Sequence, residues 1–140
     1  MASSGRRRLR VLVADDDVDT AVSTCALLEY LGCATAVAYD GAAALSLLNS
    51  FLPHVVMLDI EMPIMSGLDV ARTIRTHPSG GHQPRMLIAV TGQSAAAARQ
   101  QALDAGFDEF VSKPIDTPWL QLNIQRWQSM PPRRQRAAGR

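Results

Sequence analysis

Asp15, Asp16 and Asp17 follow the apolar run Val11–Ala14 without a break. Three like charges at the exit of an apolar segment repel one another, and at least one carboxyl pKa must rise unless a cation lies among them. Three other apolar runs end in equally specific polar residues. Asp59 closes the run in "VVMLDIEMP", Thr91 closes the one in "LIAVTGQ", and Lys113 follows the short run in "FVSKPID". Brought together, these groups suit phosphoryl chemistry. A hard divalent cation, Mg²⁺ or Mn²⁺, accepts a few carboxylate oxygens and keeps several waters. A lysine brings a mobile positive charge for an anion, and a threonine hydroxyl donates to a phosphoryl oxygen. A carboxylate held in such surroundings can attack phosphorus. Taken singly, each residue has a plainer reading. The triple aspartate is a solvated loop, Asp17 a helix-start charge, Asp59 a cap on the next turn, and Lys113 a surface charge.

The elements that would position them can be read from the pattern. Apolar runs at Val11–Ala14, Ala34–Ala38, Val55–Leu58, Met86–Val90 and Phe110–Val111 are nearly continuous, as strands covered on both faces are. Helix-like stretches lie between them, at about Thr20–Leu31, Gly41–Ser50, Ser66–Thr76, Ser94–Ala105 and Thr117–Ser129. Gly32 and Gly106 fit positions just past a helix end. Ser66 and Ser94 fit N-caps, and Thr117 followed by Pro118 reads as a cap with proline at the first helical position. The segment "HPSGGHQP" is a breaker. Five strands alternating with five helices imply a parallel sheet, and right-handed crossovers make it a doubly wound α/β sandwich. In a parallel sheet all strand C-termini share one edge, so the four polar ends converge there.

Composition bounds the rest. A chain of 140 residues that is 47% apolar suits one domain with a real core. The start "MASSGRRRLR" lacks the apolar stretch of a secretory signal, and no apolar run spans a bilayer, so a cytoplasmic protein is expected. Cys25 and Cys33 match no common zinc or redox spacing and read as small buried hydrophobes. The body from Val11 to Met130 carries thirteen acidic and six basic residues, a net −7, while eight arginines at the ends carry +8. Those arginines have no aromatic residues among them, so solvated tails are expected rather than a nucleic-acid surface. In the last helix Leu120, Ile124 and Trp127 fall on one stripe that should face the sheet. Trp119, Leu122 and Met130 form a second stripe, either broadly buried or a surface for a partner or second copy.

The motifs "VLVADDD", "LDIEMPIMSGLDV", "AVTG" and "GFDEFVSKP", in this order, resemble the receiver domain of two-component response regulators. The resemblance covers about Arg10 to Ser129. It implies a basic extension at 1–9, a receiver domain at 10–129 and a basic Pro/Arg-rich tail at 130–140. It also implies the flavodoxin-like strand order 2-1-3-4-5. Matched position by position, it makes Asp59 the phosphoacceptor. Asp15 and Asp16 become the acidic pair that holds Mg²⁺, Asp16 as direct ligand, with the backbone carbonyl of Glu61 as a further metal oxygen. Thr91 and Lys113 become the pair that grips the phosphoryl group. Pro114 matches a proline that often follows a cis bond. Phe110 takes the aromatic switch position, where many relatives carry tyrosine. Glu61 and Gln93 flank the phosphoryl position. Implied partners are a sensor histidine kinase or a histidine phosphotransfer protein. A target or second copy would be met through the face of the fourth helix, fifth strand and fifth helix.

The resemblance leaves a stand-alone regulator and the receiver of a hybrid histidine kinase both open. A hydrolase of the aspartyl-phosphate class would place its nucleophile after the first strand, whereas Asp59 follows the third. A receiver that serves only as a binding module would not need the full acid–hydroxyl–lysine set.

Overall fold

In a computed structural model, residues 8–76, 82–92 and 96–132 are described. The strands are β1 (Arg10–Ala14), β2 (Ala34–Ala38), β3 (Val55–Asp59), β4 (Met86–Thr91) and β5 (Glu109–Ser112). The helices are α1 (Val18–Tyr30), α2 (Gly41–Phe51), α3 (Gly67–Arg75), α4 (Ala96–Ala105) and α5 (Thr117–Ser129). All pairings are parallel and the order is β2-β1-β3-β4-β5. The expected doubly wound sheet and its strand order are therefore present. Residues 77–81, the arginines beyond position 132, Arg6 and Arg7, the Ser94 cap and Gln93 all lie outside the described residues.

The continuous apolar runs have a direct cause. β3 and β4 are central, and every one of their residues is buried. The edge strands β2 and β5 are mostly half-buried. Side chains alternate between the two faces. Leu12, Ala14, Val56, Leu58, Leu87 and Ala89 pack with Leu48 of α2, Val70 and Ile74 of α3 and Ala102 of α4. Val11, Val13, Met57, Ile88 and Val90 pack on the other side with Leu28 of α1 and Leu120, Ile124 and Trp127 of α5. The first stripe of α5 thus faces the sheet as expected. In the second, Leu122 is 68% exposed while Trp119 and Met130 are half-buried. Cys25 and Cys33 are free and buried, and burial pushes the Cys33 thiol up to about 11. No helix among the described residues is long and apolar enough to cross a membrane.

Helix starts are set by side chains that accept orphan N–H groups. Asp17 accepts from the N–H groups of Asp19 and Thr20, and Asp40 from Ala43. Ser66 and Asp69 form a reciprocal capping box. At α5 the expected cap is corrected by one residue. Asp116 caps by accepting from the Trp119 N–H at 2.9 Å, so Thr117 opens the helix and Pro118 is its second residue. A carboxylate favours the helix N-terminus more than a hydroxyl does, which decides between the two neighbours. Gly32 and Gly106 adopt the positive φ values of 97° and 109° expected just past a helix.

Two features fix the chain after β3. Ile60 and Met62 are tucked into the core, and the Gly67 N–H returns to the Ile60 carbonyl at 3.3 Å. A Cβ on Gly67 would lie 2.5 Å from the Asp59 carbonyl oxygen, so only glycine lets α3 start this close to β3. Gly67→Ala is expected to cost about 1–3 kcal/mol of stability through this clash, read as a lower urea midpoint. An unchanged midpoint would show that the loop has slack.

Candidate functional site

Strand register brings the polar ends together. Ala14 pairs with Leu58, so Asp15 and Asp59 come next on adjacent strands. Asp59 pairs with Val90, and Thr91 with Ser112, which Lys113 follows. The chain leaves β1 toward β2 on one side and returns toward β3 on the other. The crevice at that reversal is where ligands of such sheets bind.

The side chains meet as the register requires. Lys113 Nζ lies 2.8 Å from Asp15 Oδ2 and 3.3 Å from Asp59 Oδ2. Asp15 and Asp59 are 3% and 5% exposed, while Asp16 is exposed. Asp15 Oδ1 accepts the Asp17 N–H at 2.9 Å, and Asp59 Oδ1 accepts the Glu61 N–H at 2.9 Å. One carboxylate oxygen each from Asp15, Asp16 and Asp59 lies within 4.8 Å of the others. Thr91 is fully buried at the end of β4. Its carbonyl accepts the Lys113 N–H at 2.8 Å, which ties β5's exit to β4. The Lys113–Pro114 bond is cis. A cavity of about 550 Å³ opens beside these groups, floored by Val13, Met57 and Val90 and walled by α1 and Ile115.

The electrostatics follow from the crowding. Burial raises the Asp59 pKa and the Asp15 charge raises it further, against the lowering effects of the Glu61 N–H and Lys113. Burial alone would lower the Lys113 pKa. Its hydrogen bond to Asp15 and the charges of Asp59 and Asp15 outweigh that and raise it. Asp17 is held below the usual carboxylate range, chiefly by the Thr20 N–H. With all groups ionised, three carboxylates face one ammonium, a net −2. A hard cation fits this set: the oxygens are close, two of the carboxylates are dry, and the charge is under-compensated.

The chain matches the response regulator receiver domain model over residues 11–125. The chain belongs to this family. It is 35% identical over 120 residues to an uncharacterised 14.6 kDa protein from the sodA1 3′ region of Leptolyngbya boryana, covering 86% of this chain and 90% of that one. Against the response regulator MprA of Mycobacterium avium it is 34% identical over 107 residues, covering 76% of this chain. The chain spans only 45% of that relative's length. The receiver domain of a Bermanella marisrubri response regulator superposes with a TM-score of 0.75 at 31% identity, covering 86% and 98% of the two chains. Receiver domains are two-component signalling domains that bind Mg²⁺ through acidic residues, and this chain presents such a cluster.

Every expected site residue among the described ones lies at this sheet edge except Phe110, which sits half-buried on β5. Sequence reading missed Ile64. It is fully exposed and β-branched, yet has a φ of 70°. The Met65 N–H bonds the Pro63 carbonyl at 2.7 Å around it, a tight three-residue turn.

Because the native state raises the Asp59 pKa, folded protein binds more protons than unfolded protein just above the ordinary carboxylate range. Ionising Asp59 therefore lowers stability as pH rises through that interval. In metal-free buffer at pH 7, Asp59→Asn is expected to raise Tm by roughly 3–5 °C, the value of about 1 kcal/mol in a domain this size. The gain should shrink as pH falls through the interval just above the ordinary carboxylate range and be gone below about pH 4, where Asp59 is protonated in both states. A Tm that falls on substitution would mean that Asp59 is net stabilised by Lys113.

Proposed function

We propose that this receiver domain accepts a phosphoryl group on Asp59 from a partner histidine. The observation that carries this reading is the Lys113 ammonium bridging two buried carboxylates in the crevice at the β1–β3 reversal. In the step, an Asp59 oxygen forms a bond to phosphorus in line with the breaking P–N bond. The departing imidazole takes its electron pair and is reprotonated by solvent. Mg²⁺, held by Asp15, Asp16, Asp59 and the Glu61 carbonyl, would supply charge neutralisation for the phosphoryl oxygens.

The other residues have distinct tasks. The Glu61 N–H holds one Asp59 oxygen and so fixes the carboxylate plane. Asp15 is itself held by the Asp17 N–H and keeps Lys113 at the mouth of the site. Lys113, already 3.3 Å from Asp59, then pairs with the new dianion, and Thr91 donates its hydroxyl to a phosphoryl oxygen. Thr91 is buried at rest, so this hydrogen bond pulls on the end of β4. The pull is relayed to the α4–β5–α5 face, where Leu103 and Leu122 are 44% and 68% exposed and await a target or a second copy.

A buried acceptor also constrains its donor. Asp59 is only 5% exposed, so a donor protein rests on the surrounding rim and reaches inward. That rim offers Val18 and Val22 on α1, each 50% exposed, and the fully exposed Ile64 on the loop after Asp59. A positive φ at a β-branched residue costs roughly 1–3 kcal/mol, and the tight turn that imposes it holds an apolar side chain in water. Contact with a donor gives that exposure a use.

Two experiments test the reading. With Mg²⁺ and a small phosphodonor such as phosphoramidate, wild-type protein is expected to label at Asp59. Asp59→Asn, or removal of Mg²⁺ with EDTA, should abolish the label. Full labelling of Asp59→Asn would refute the assignment. Ile64→Asp is expected to slow transfer from a cognate phosphohistidine protein about tenfold or more while leaving labelling by phosphoramidate unchanged. Equal loss with both donors would place Ile64 in the chemistry rather than in docking.

A further inference from the structure

The cavity beside the acid cluster is larger than a metal ion needs. It measures about 550 Å³, within the roughly 300–1,000 Å³ of small-molecule sites. An ion with a few retained waters, at roughly 30 Å³ each, fills a small part of it. The space has its origin in α1. Ala21, Cys25 and Leu28 of that helix are buried against the sheet. The neighbouring face, at spacings of three and four, lines the cavity with Thr20, Ser23, Thr24 and Leu27. Three short hydroxyl side chains precede the first large apolar one, so the space over Val13, Met57 and Val90 stays unfilled. Those floor residues are buried and apolar, and Ile115 adds a further apolar wall.

The charge around this space is one-sided. Its ionisable lining groups are Asp15, Asp19, Asp59 and Lys113, three carboxylates against one ammonium, a net −2. Lys113 is taken up by Asp15 and Asp59. Asp19 stands exposed in the first turn of α1 and makes no ion pair among the described residues. The cavity thus joins an apolar floor to an acid at its mouth that nothing neutralises. An anion is repelled by this lining, and a hard metal ion leaves the floor uncovered. A lysine or arginine of another protein would enter charge first and bring its charge against the floor, which is costly. We propose that the cavity binds a free organic cation, an alkylammonium with an aromatic or aliphatic body. The ammonium pairs with Asp19 at the mouth, and the body covers Val13, Met57 and Val90. A molecule seated this way lies beside Asp59, which lines the same cavity, and closes the crevice to a phosphodonor. The blockade rests on the phosphoacceptor reading above, whereas the binding does not.

Phenylbutylamine is a suitable probe, followed in Mg²⁺-free buffer through the methyl NMR signals of Met57 and Ile115, which a nearby aromatic ring shifts. A saturable shift of both methyls is expected. Phenylbutyrate has the same body and the opposite charge, and butylamine has the charge without the ring. Each should bind about tenfold or more weakly. Asp19→Asn should weaken the amine about two- to five-fold, the strength of an exposed ion pair written as a ratio, and should still label at Asp59 like wild type. Thr24→Phe, which fills the cavity, should abolish the shifts. Methyls that stay in place, or phenylbutyrate that binds as well as the amine, overturn the site. An amine affinity unchanged in Asp19→Asn overturns the seating. With Mg²⁺ and phosphoramidate, saturating phenylbutylamine should slow labelling of Asp59 about tenfold, and an unchanged rate overturns the blockade. Wild-type protein that never labels would refute the reading of Asp59 instead, while the methyl shifts still decide the cavity.

Discussion

Three carboxylates share the dry end of a parallel sheet with one ammonium, and the rest of the site is arranged around that imbalance. Lys113 reaches both Asp15 and Asp59, the two buried members. Backbone N–H groups of Asp17 and Glu61 satisfy their remaining oxygens. The three consecutive aspartates are tolerable because each has separate work. Asp15 is buried and paired, Asp16 is exposed at the mouth, and Asp17 turns away to cap α1. The arrangement still leaves excess negative charge. That excess makes the crevice a place for a hard cation, and it also raises the proton affinity of Asp59.

On the proposed reading, the sheet would turn a phosphoryl charge on Asp59 into a lever. Asp59 and Thr91 end neighbouring central strands that are wholly buried and close-packed. Such packing does not deform gradually, so a new charge at the rim would be relieved by moving what is least constrained. β5 is the edge strand, only partly buried, and α4 covers it. Elsewhere the frame is fastened. Arg75 of α3 donates to the Gly106 carbonyl and pairs with Asp108 at 2.7 Å, while Asp108 also accepts the Leu87 N–H. Arg126 of α5 pairs with Glu109 of β5. These ties hold one end of α4 and the start of β5.

The sheet and the groups at its rim were legible in the sequence because burial on both faces removes alternation. A strand then reads as an unbroken apolar run, and its first polar residue marks the sheet edge. Lys113 and Asp59 are 54 residues apart, yet each could be placed from its own strand end. What stayed hidden depends on geometry across elements or on backbone dihedrals. Nothing local to Arg75 points to Asp108, 33 residues away. Nothing in "MPIMS" says that Ile64 takes a positive φ, where glycine or asparagine would be expected. The cap of α5 was displaced by one residue because two competent caps, Asp116 and Thr117, stand side by side. Asp40, which caps α2, carried a readable signal just ahead of "GAAAL" that the sequence analysis passed over.

Calorimetric titration of wild-type protein and Asp16→Asn with Mg²⁺ tests the central claim most directly. Asp16 is exposed and makes no ion pair among the described residues, so the substitution changes the charge of the cluster with little effect on the fold. If under-compensated carboxylates define the site, wild type binds a single ion and Asp16→Asn binds it about tenfold or more weakly. Equal affinity in the two proteins, or no binding to wild type, would contradict the account.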